Sequence, residues 1–87
     1  MFAAPEKILS FLTDRQHLEP HSDLGRVLAR LCSELGACPT VADRAAQRLD
    51  LPRGRAIGRL RRTELTQLAR AIHRFASAGR LEAEPIR

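Results

Sequence analysis

The residues of this sequence best suited to binding another molecule are nine arginines between positions 44 and 74. Only Asp50 and Glu64 oppose them, so this segment has a net charge of +7, whereas residues 1–43 have a net charge of −2 and residues 75–87 are neutral. An arginine guanidinium binds a phosphate, a carboxylate or a guanine edge through two hydrogen bonds. The cluster therefore indicates a polyanionic partner, of which nucleic acid is the commonest, unless the arginines simply form the solvated face of helices.

Zinc-binding residue types are present, but their spacing does not favour a metal site. Three residues separate His17 from His21 and five separate Cys32 from Cys38, which matches no standard zinc finger. Cys32 also falls on the apolar face of a predicted helix. We therefore expect a buried Cys32, a loop thiol at Cys38, and no bound metal or other cofactor.

Catalysis has less support than binding. His73 lies between Arg70 and Arg74, but no serine or cysteine nucleophile and no paired carboxylate is spaced to act with it. No glycine-rich phosphate loop follows a strand. The sequence therefore predicts that this protein is not an enzyme.

The chain of 87 residues is long enough for one small domain with a thin core, for which dimerisation would help. No apolar run is long enough to span a membrane, and the N-terminus does not match a secretory signal peptide. Two cysteines give little of the disulfide framework of small secreted domains. We expect a single helical domain over residues 1–87, a cytoplasmic location, no membrane association and a homodimer.

Apolar residues recur at helical spacing along most of the chain and predict an all-α fold, a small bundle of four to five short helices. Residues 1–21 are expected to form an N-terminal helix from Pro5 to near Thr13 and then a loop over 14–21. The helical core is expected over residues 22–79, and the tail over 80–87. Within that tail, residues 81–83 are expected to be either a short strand or frayed chain.

Capping residues divide the predicted core into helices. Ser22 is expected to begin a helix that has apolar positions from Leu24 to Leu35. Gly36 is expected to follow the end of this helix. Thr40 is expected to begin the next helix, which has small residues on its inner face. A basic helix over 52–62 follows, and the last helix is expected to begin at Thr63 and to end at Gly79.

The two predicted helices over residues 41–62 have the outline of a helix-turn-helix pair. Residues 45–60, AAQRLDLPRGRAIGRL, resemble the pattern A-A-x-x-L-G-(I/V/L)-S-R-G-T-L-x-R-x-L of bacterial Fis-type regulators. The Leu51-Pro52-Arg53 segment is also similar to the turn of IclR-type repressors. Asp50 stands where the pattern has glycine, and Asp tolerates a left-handed backbone conformation better than most residues. Pro52 stands where the pattern has serine.

The resemblance implies a transcriptional regulator that inserts the helix 53–62 into the major groove of double-stranded DNA as a homodimer. The groove-facing residues would be Arg53, Gly54, Arg55, Gly58, Arg59 and Arg62, and the phosphate contacts would come from Arg44, Arg48 and Arg61. The helix 64–78 and the apolar face of residues 6–12 are the candidate dimer surfaces. The alternative is a helical protein-interaction module, such as an anti-activator, an adaptor or a phage-type inhibitor, that binds an acidic protein surface through the same arginines.

Overall fold

A computed structural model describes the backbone of residues 4–83 and the side chains of residues 4–78. Four helices follow one another along the chain: α1 (Pro5–Leu18), α2 (Leu24–Leu35), α3 (Pro39–Arg48) and α4 (Arg62–Ala83). A short 3₁₀ turn, Ile57–Arg59, lies between α3 and α4. Residues 4–83 contain no strand, only an isolated bridge between Asp23 and Ala56. The predicted all-α bundle is therefore confirmed.

The four helices share one apolar core in which α4 packs against α1 and α3, and α2 packs against α3 and α1. Each helix contributes the apolar stripe that its sequence predicts. The inner face of α3 is made of alanines, which let its neighbours approach closely. The fully buried large side chains are Ile8, Leu12, Leu24, Val27, Leu28, Leu31, Ile57, Leu65, Leu68 and Ile72.

Both apolar faces predicted as dimer surfaces lie inside this core. Ile8 and Leu12 of α1 and Leu68 and Ile72 of α4 have no exposed surface in a single chain. A single chain thus buries the central residues of both stripes without a second copy, whereas Phe75 of α4 stays partly exposed. Among the described residues, the one large apolar side chain that is well exposed is Leu18, at 68%.

The first helix is longer than predicted, since α1 continues through Leu18 instead of ending near Thr13. Arg15 lies over the Phe11 ring, 5.8 Å from its centroid, and pairs with Glu19 one turn further on. The Gln16 side-chain amide donates hydrogen bonds to the carbonyls of Ile57 and Leu60, at 3.0 and 2.9 Å. These contacts stabilise the last turns of α1. The loop predicted over residues 14–21 is therefore shorter and lies at residues 19–23.

Several predicted caps are shifted by one or more residues. Gly36 follows α2 in the left-handed conformation, φ 79°, as predicted. However, α2 has Asp23 at its N-cap in place of Ser22, and α3 begins at Pro39, one residue before Thr40. At the next helix, the backbone N–H of Arg61 donates to the Glu64 carboxylate at 2.7 Å, which fixes the start of α4 before Thr63.

The C-terminal boundary is also different, because α4 runs through Gly79 to Ala83. A glycine inside a helix costs about 1 kcal/mol relative to alanine, which a long helix tolerates. The alternatives of a short strand or frayed chain at 81–83 are therefore wrong, and the rest of the expected tail, residues 84–87, lies outside the described residues.

The basic helix predicted over 52–62 does not form. Residues 49–61 connect α3 to α4 as an irregular segment whose one regular element is the 3₁₀ turn. The carbonyls of Arg53 and Arg55 accept hydrogen bonds from the N–H groups of Gly25 and Leu24, both at 2.8 Å. Those first N–H groups of α2 have no partner within their own helix. The expected helix-turn-helix pair is thus replaced by α3 and a connection that caps α2.

Leu28 tests the assignment of the core. Replacing Leu28, which is 1% exposed, with alanine should lower the free energy of unfolding by roughly 2–5 kcal/mol, because it removes buried apolar contacts. The matched substitution Leu18→Ala at the exposed end of α1 should change it by less than about 0.5 kcal/mol. Urea denaturation of both variants measures the difference. Similar unfolding midpoints for the two would contradict this core.

Candidate functional site

The residues predicted to contact DNA are distributed over three elements. Arg44 and Arg48 lie on α3, and Arg62 begins α4. The others lie in the 49–61 connection and are exposed: Arg53, Gly54, Arg55, Gly58, Arg59 and Arg61. No described helix presents this set along one face, and the structure contains no helix over residues 53–62.

Two of these arginines already have acidic partners. Arg53 donates a hydrogen bond to Asp43 at 3.0 Å, and Arg55 lies 3.9 Å from a Glu64 carboxylate oxygen. Both pairs are substantially exposed, so each contributes little to stability. Their effect on binding is larger, because a nearby carboxylate reduces the positive charge available to an anionic partner.

Gly58 is required by packing within the chain. Its N–H donates to the Pro20 carbonyl at 2.9 Å, and a Cβ added at Gly58 would lie 2.8 Å from that oxygen and 2.9 Å from the Pro20 Cβ. By contrast, a Cβ at Gly54 would meet nothing within 4 Å. The lack of a side chain at Gly58 therefore lets the connection lie against residues 19–23.

The sign of the effect of Gly58→Ala distinguishes this connection from a helix. In a helix the substitution would stabilise the protein by about 1 kcal/mol. Here the added Cβ meets backbone, so we expect a loss of about 1–3 kcal/mol in the free energy of unfolding. Gly54→Ala is the control and should have no destabilising effect. Thermal and urea unfolding measure both, and a more stable Gly58→Ala variant would contradict the structure.

A groove between the end of α3 and the middle of α4 is the strongest candidate site. Its volume is about 200 Å³. Its floor is apolar and its rim is basic. Arg44 is not one of the residues that line the groove, but its guanidinium lies over the Phe75 ring, 5.8 Å from the ring centroid. It therefore closes one side of the groove. We call this the arginine groove, and it consists of Arg44, Arg48, Leu49, Gln67, Arg70, Ala71, Arg74 and Phe75.

The arginines of the groove form two pairs, each with i,i+4 spacing. Arg44 and Arg48 lie one turn apart on α3, and Arg70 and Arg74 lie one turn apart on α4. All four are exposed, and none forms an ion pair within the part of the chain whose side chains are described. Like charges at this spacing destabilise a helix by roughly 0.2–0.5 kcal/mol per pair. Among the residues whose side chains are described, no carboxylate lines the groove to compensate its positive charge.

Half of this site was missed at the level of sequence. The sequence marks Arg70 and Arg74 only as neighbours of His73, and it places Phe75 only within the predicted helix 64–78. The detectable signal was that both arginine pairs have the same four-residue spacing. The packing of α3 against α4, which brings the two pairs to one groove, could not be inferred from the spacing alone.

The cysteines are located as predicted. Cys32 is 3% exposed and donates a weak hydrogen bond from its Sγ to the Cys38 carbonyl at 3.7 Å. Cys38 is exposed, and both thiols are free. Burial raises the pKa of Cys32, whereas a hydrogen bond with the Thr40 hydroxyl lowers the pKa of Cys38. The described residues contain no cluster of three or more histidine, cysteine or acidic side chains arranged to hold a metal.

Comparison with known proteins returns no matching family model, no similar curated protein and no similar solved structure. None of the described helices is both long and apolar enough to cross a membrane.

Proposed function

We propose that this protein is a helical protein-interaction module that binds an acidic polypeptide segment in the arginine groove. The proposal depends on one observation, an apolar floor flanked by two arginine pairs that have no carboxylate partners in the described structure. Carboxylates supplied by a partner would relieve the repulsion within each pair. Apolar groups of the same partner would bury the floor, which gives affinity that charge alone does not.

The apolar floor favours a polypeptide over a nucleic acid duplex. Leu49, Ala71 and Phe75 are only partly buried, so a partner can remove more of their surface from water. The phosphodiester backbone of a duplex offers charge but no apolar group to cover them. In addition, Arg53 and Arg55, the centre of the predicted DNA-reading surface, are paired with Asp43 and Glu64.

Replacing both α4 arginines tests the groove. Arg70→Gln with Arg74→Gln should weaken binding of a labelled 15-residue peptide of Glu, Leu and Ala by about tenfold or more, measured by fluorescence anisotropy. The same variant should be more stable by roughly 0.2–0.5 kcal/mol, because one repulsive i,i+4 pair is removed.

The matched control is Arg59→Gln with Arg61→Gln, which removes the same charge from exposed positions outside the groove. It should retain most of the peptide affinity. An equal loss in the two double variants would show that only net charge attracts the peptide, and the proposal would then fail.

Sequence-independent binding of double-stranded DNA is a second candidate function. Arg59, Arg61 and Arg62 are exposed, and none forms an ion pair among the described side chains. In this arrangement they would contact phosphates, because residues 53–61 form no helix that could place side chains against base edges. Under this hypothesis the module would bind DNA through charge, and regulation of transcription would require sequence information from a further component.

The salt dependence of duplex binding tests the second candidate. Each arginine that neutralises a phosphate adds about 0.9 to the slope of log affinity against log salt. Arg59→Gln with Arg61→Gln should therefore reduce that slope by nearly two, while Arg70→Gln with Arg74→Gln leaves it nearly unchanged. Titration of a labelled duplex at several salt concentrations measures the slopes. If the wild type does not bind the duplex near physiological salt, the DNA hypothesis is excluded.

A further inference from the structure

We infer that the arginine groove recognises an acidic amphipathic α-helix that places one large apolar side chain between Leu49, Ala71 and Phe75. This inference rests on the proposed function and specifies the partner of the same site. It follows from the size of the groove, the arrangement of its charges and the lack of a sheet edge in the described structure.

The groove is the size of an anchor pocket. Its volume of about 200 Å³ lies below the range of roughly 300–1,000 Å³ that is typical of small-molecule sites. A pocket of this size suits a single large side chain of a macromolecular partner. In protein interfaces such anchors fill central pockets and contribute most of the binding energy, while surrounding contacts exclude water.

Positive charge flanks the floor on both sides. Residues one turn apart on a helix form a row, so Arg70 and Arg74 form one row of α4, and Ala71 and Phe75 form the adjacent row. Arg44 of α3 lies over the Phe75 ring, so the row of Ala71 and Phe75 is on the side of α4 that faces α3. The apolar floor thus lies between the α4 arginines and the α3 arginines.

A helical partner matches this arrangement better than an extended one. A helix can carry carboxylates on both sides of an apolar stripe, with i,i+4 spacing equal to that of the arginines. The side chains on one face of a strand form a single row. The carboxylates and the apolar anchor of an extended peptide would therefore have to lie in the same row above the floor.

The backbone of the partner gives a second reason. The N–H and C=O groups of a helix are satisfied internally, so a helix can lie on an apolar surface without losing hydrogen bonds. An extended peptide usually obtains its backbone hydrogen bonds by adding to the edge of a sheet. Residues 4–83 contain no sheet that could provide such an edge.

Three labelled peptides of equal length test the inference. The first has one Phe anchor and glutamates one and three residues to either side, which form one i,i+4 pair on each side of the anchor in a helix. The second has the same composition in scrambled order, and the third has the anchor replaced by alanine. The first should bind about tenfold more tightly than the other two and should gain helical circular dichroism on binding.

Two variants of the protein locate the binding site. Ala71→Leu should fill the floor without changing charge and should reduce binding of the first peptide about tenfold, whereas Ala29→Leu on the exposed face of α2 should not. Arg70→Gln with Arg74→Gln should also reduce binding of the first peptide, so the test does not depend on Ala71→Leu alone.

The outcomes separate the inference from the function on which it rests. Equal affinity for the ordered and scrambled peptides, with the loss at Arg70 and Arg74 retained, would overturn the helical partner and leave the proposed acidic polypeptide in place. Binding without a gain in helicity would have the same consequence. No binding of any acidic peptide would overturn both, and binding of a duplex alone would favour DNA as the partner.

Discussion

The fold depends on how the first turn of α2 obtains hydrogen-bond partners. A helix begins with backbone N–H groups that its own residues cannot satisfy, and no side chain caps α2. The carbonyls of Arg53 and Arg55 satisfy two of these groups, although they come from a segment about thirty residues later in the chain. Ile57 and Gly58 continue the attachment by donating to the carbonyls of Ser22 and Pro20. The 49–61 connection is therefore a structural clamp.

This clamp positions the candidate site indirectly. It is also held by Gln16 of α1, and it places Leu51, Ile57 and Leu60 in the core. The end of α3 and the start of α4 are consequently fixed at either end of the connection. The alanines of α3 then let it pack closely on α4, and the arginine groove forms along the exposed edge of that contact.

The predictable parts of the structure were those that local pattern determines. The apolar stripe of α2, its end at Gly36 and the left-handed Asp50, φ 56°, depend on neighbouring residues only. The 52–62 segment has apolar residues at helical spacing and a proline suited to a first helical turn, so its local pattern predicts a helix. Its actual conformation is set by α2 and by Pro20, which are distant in sequence. The groove was missed for the same reason, because its two arginine pairs lie on different helices.

The groove combines clustered positive charge with a partly exposed apolar floor. Glu19 receives both Arg15 and Arg30, and a hydrogen bond from Ser22 together with these charges holds the pKa of the Glu19 carboxyl below its usual value. Glu19 thus compensates two arginines where α1 connects to α2. At the groove, two like-charged pairs lie beside an apolar floor with no carboxylate partner among the described side chains. Each feature alone is common on protein surfaces, but repulsion within the pairs and incomplete burial of the floor are both relieved by the same kind of partner.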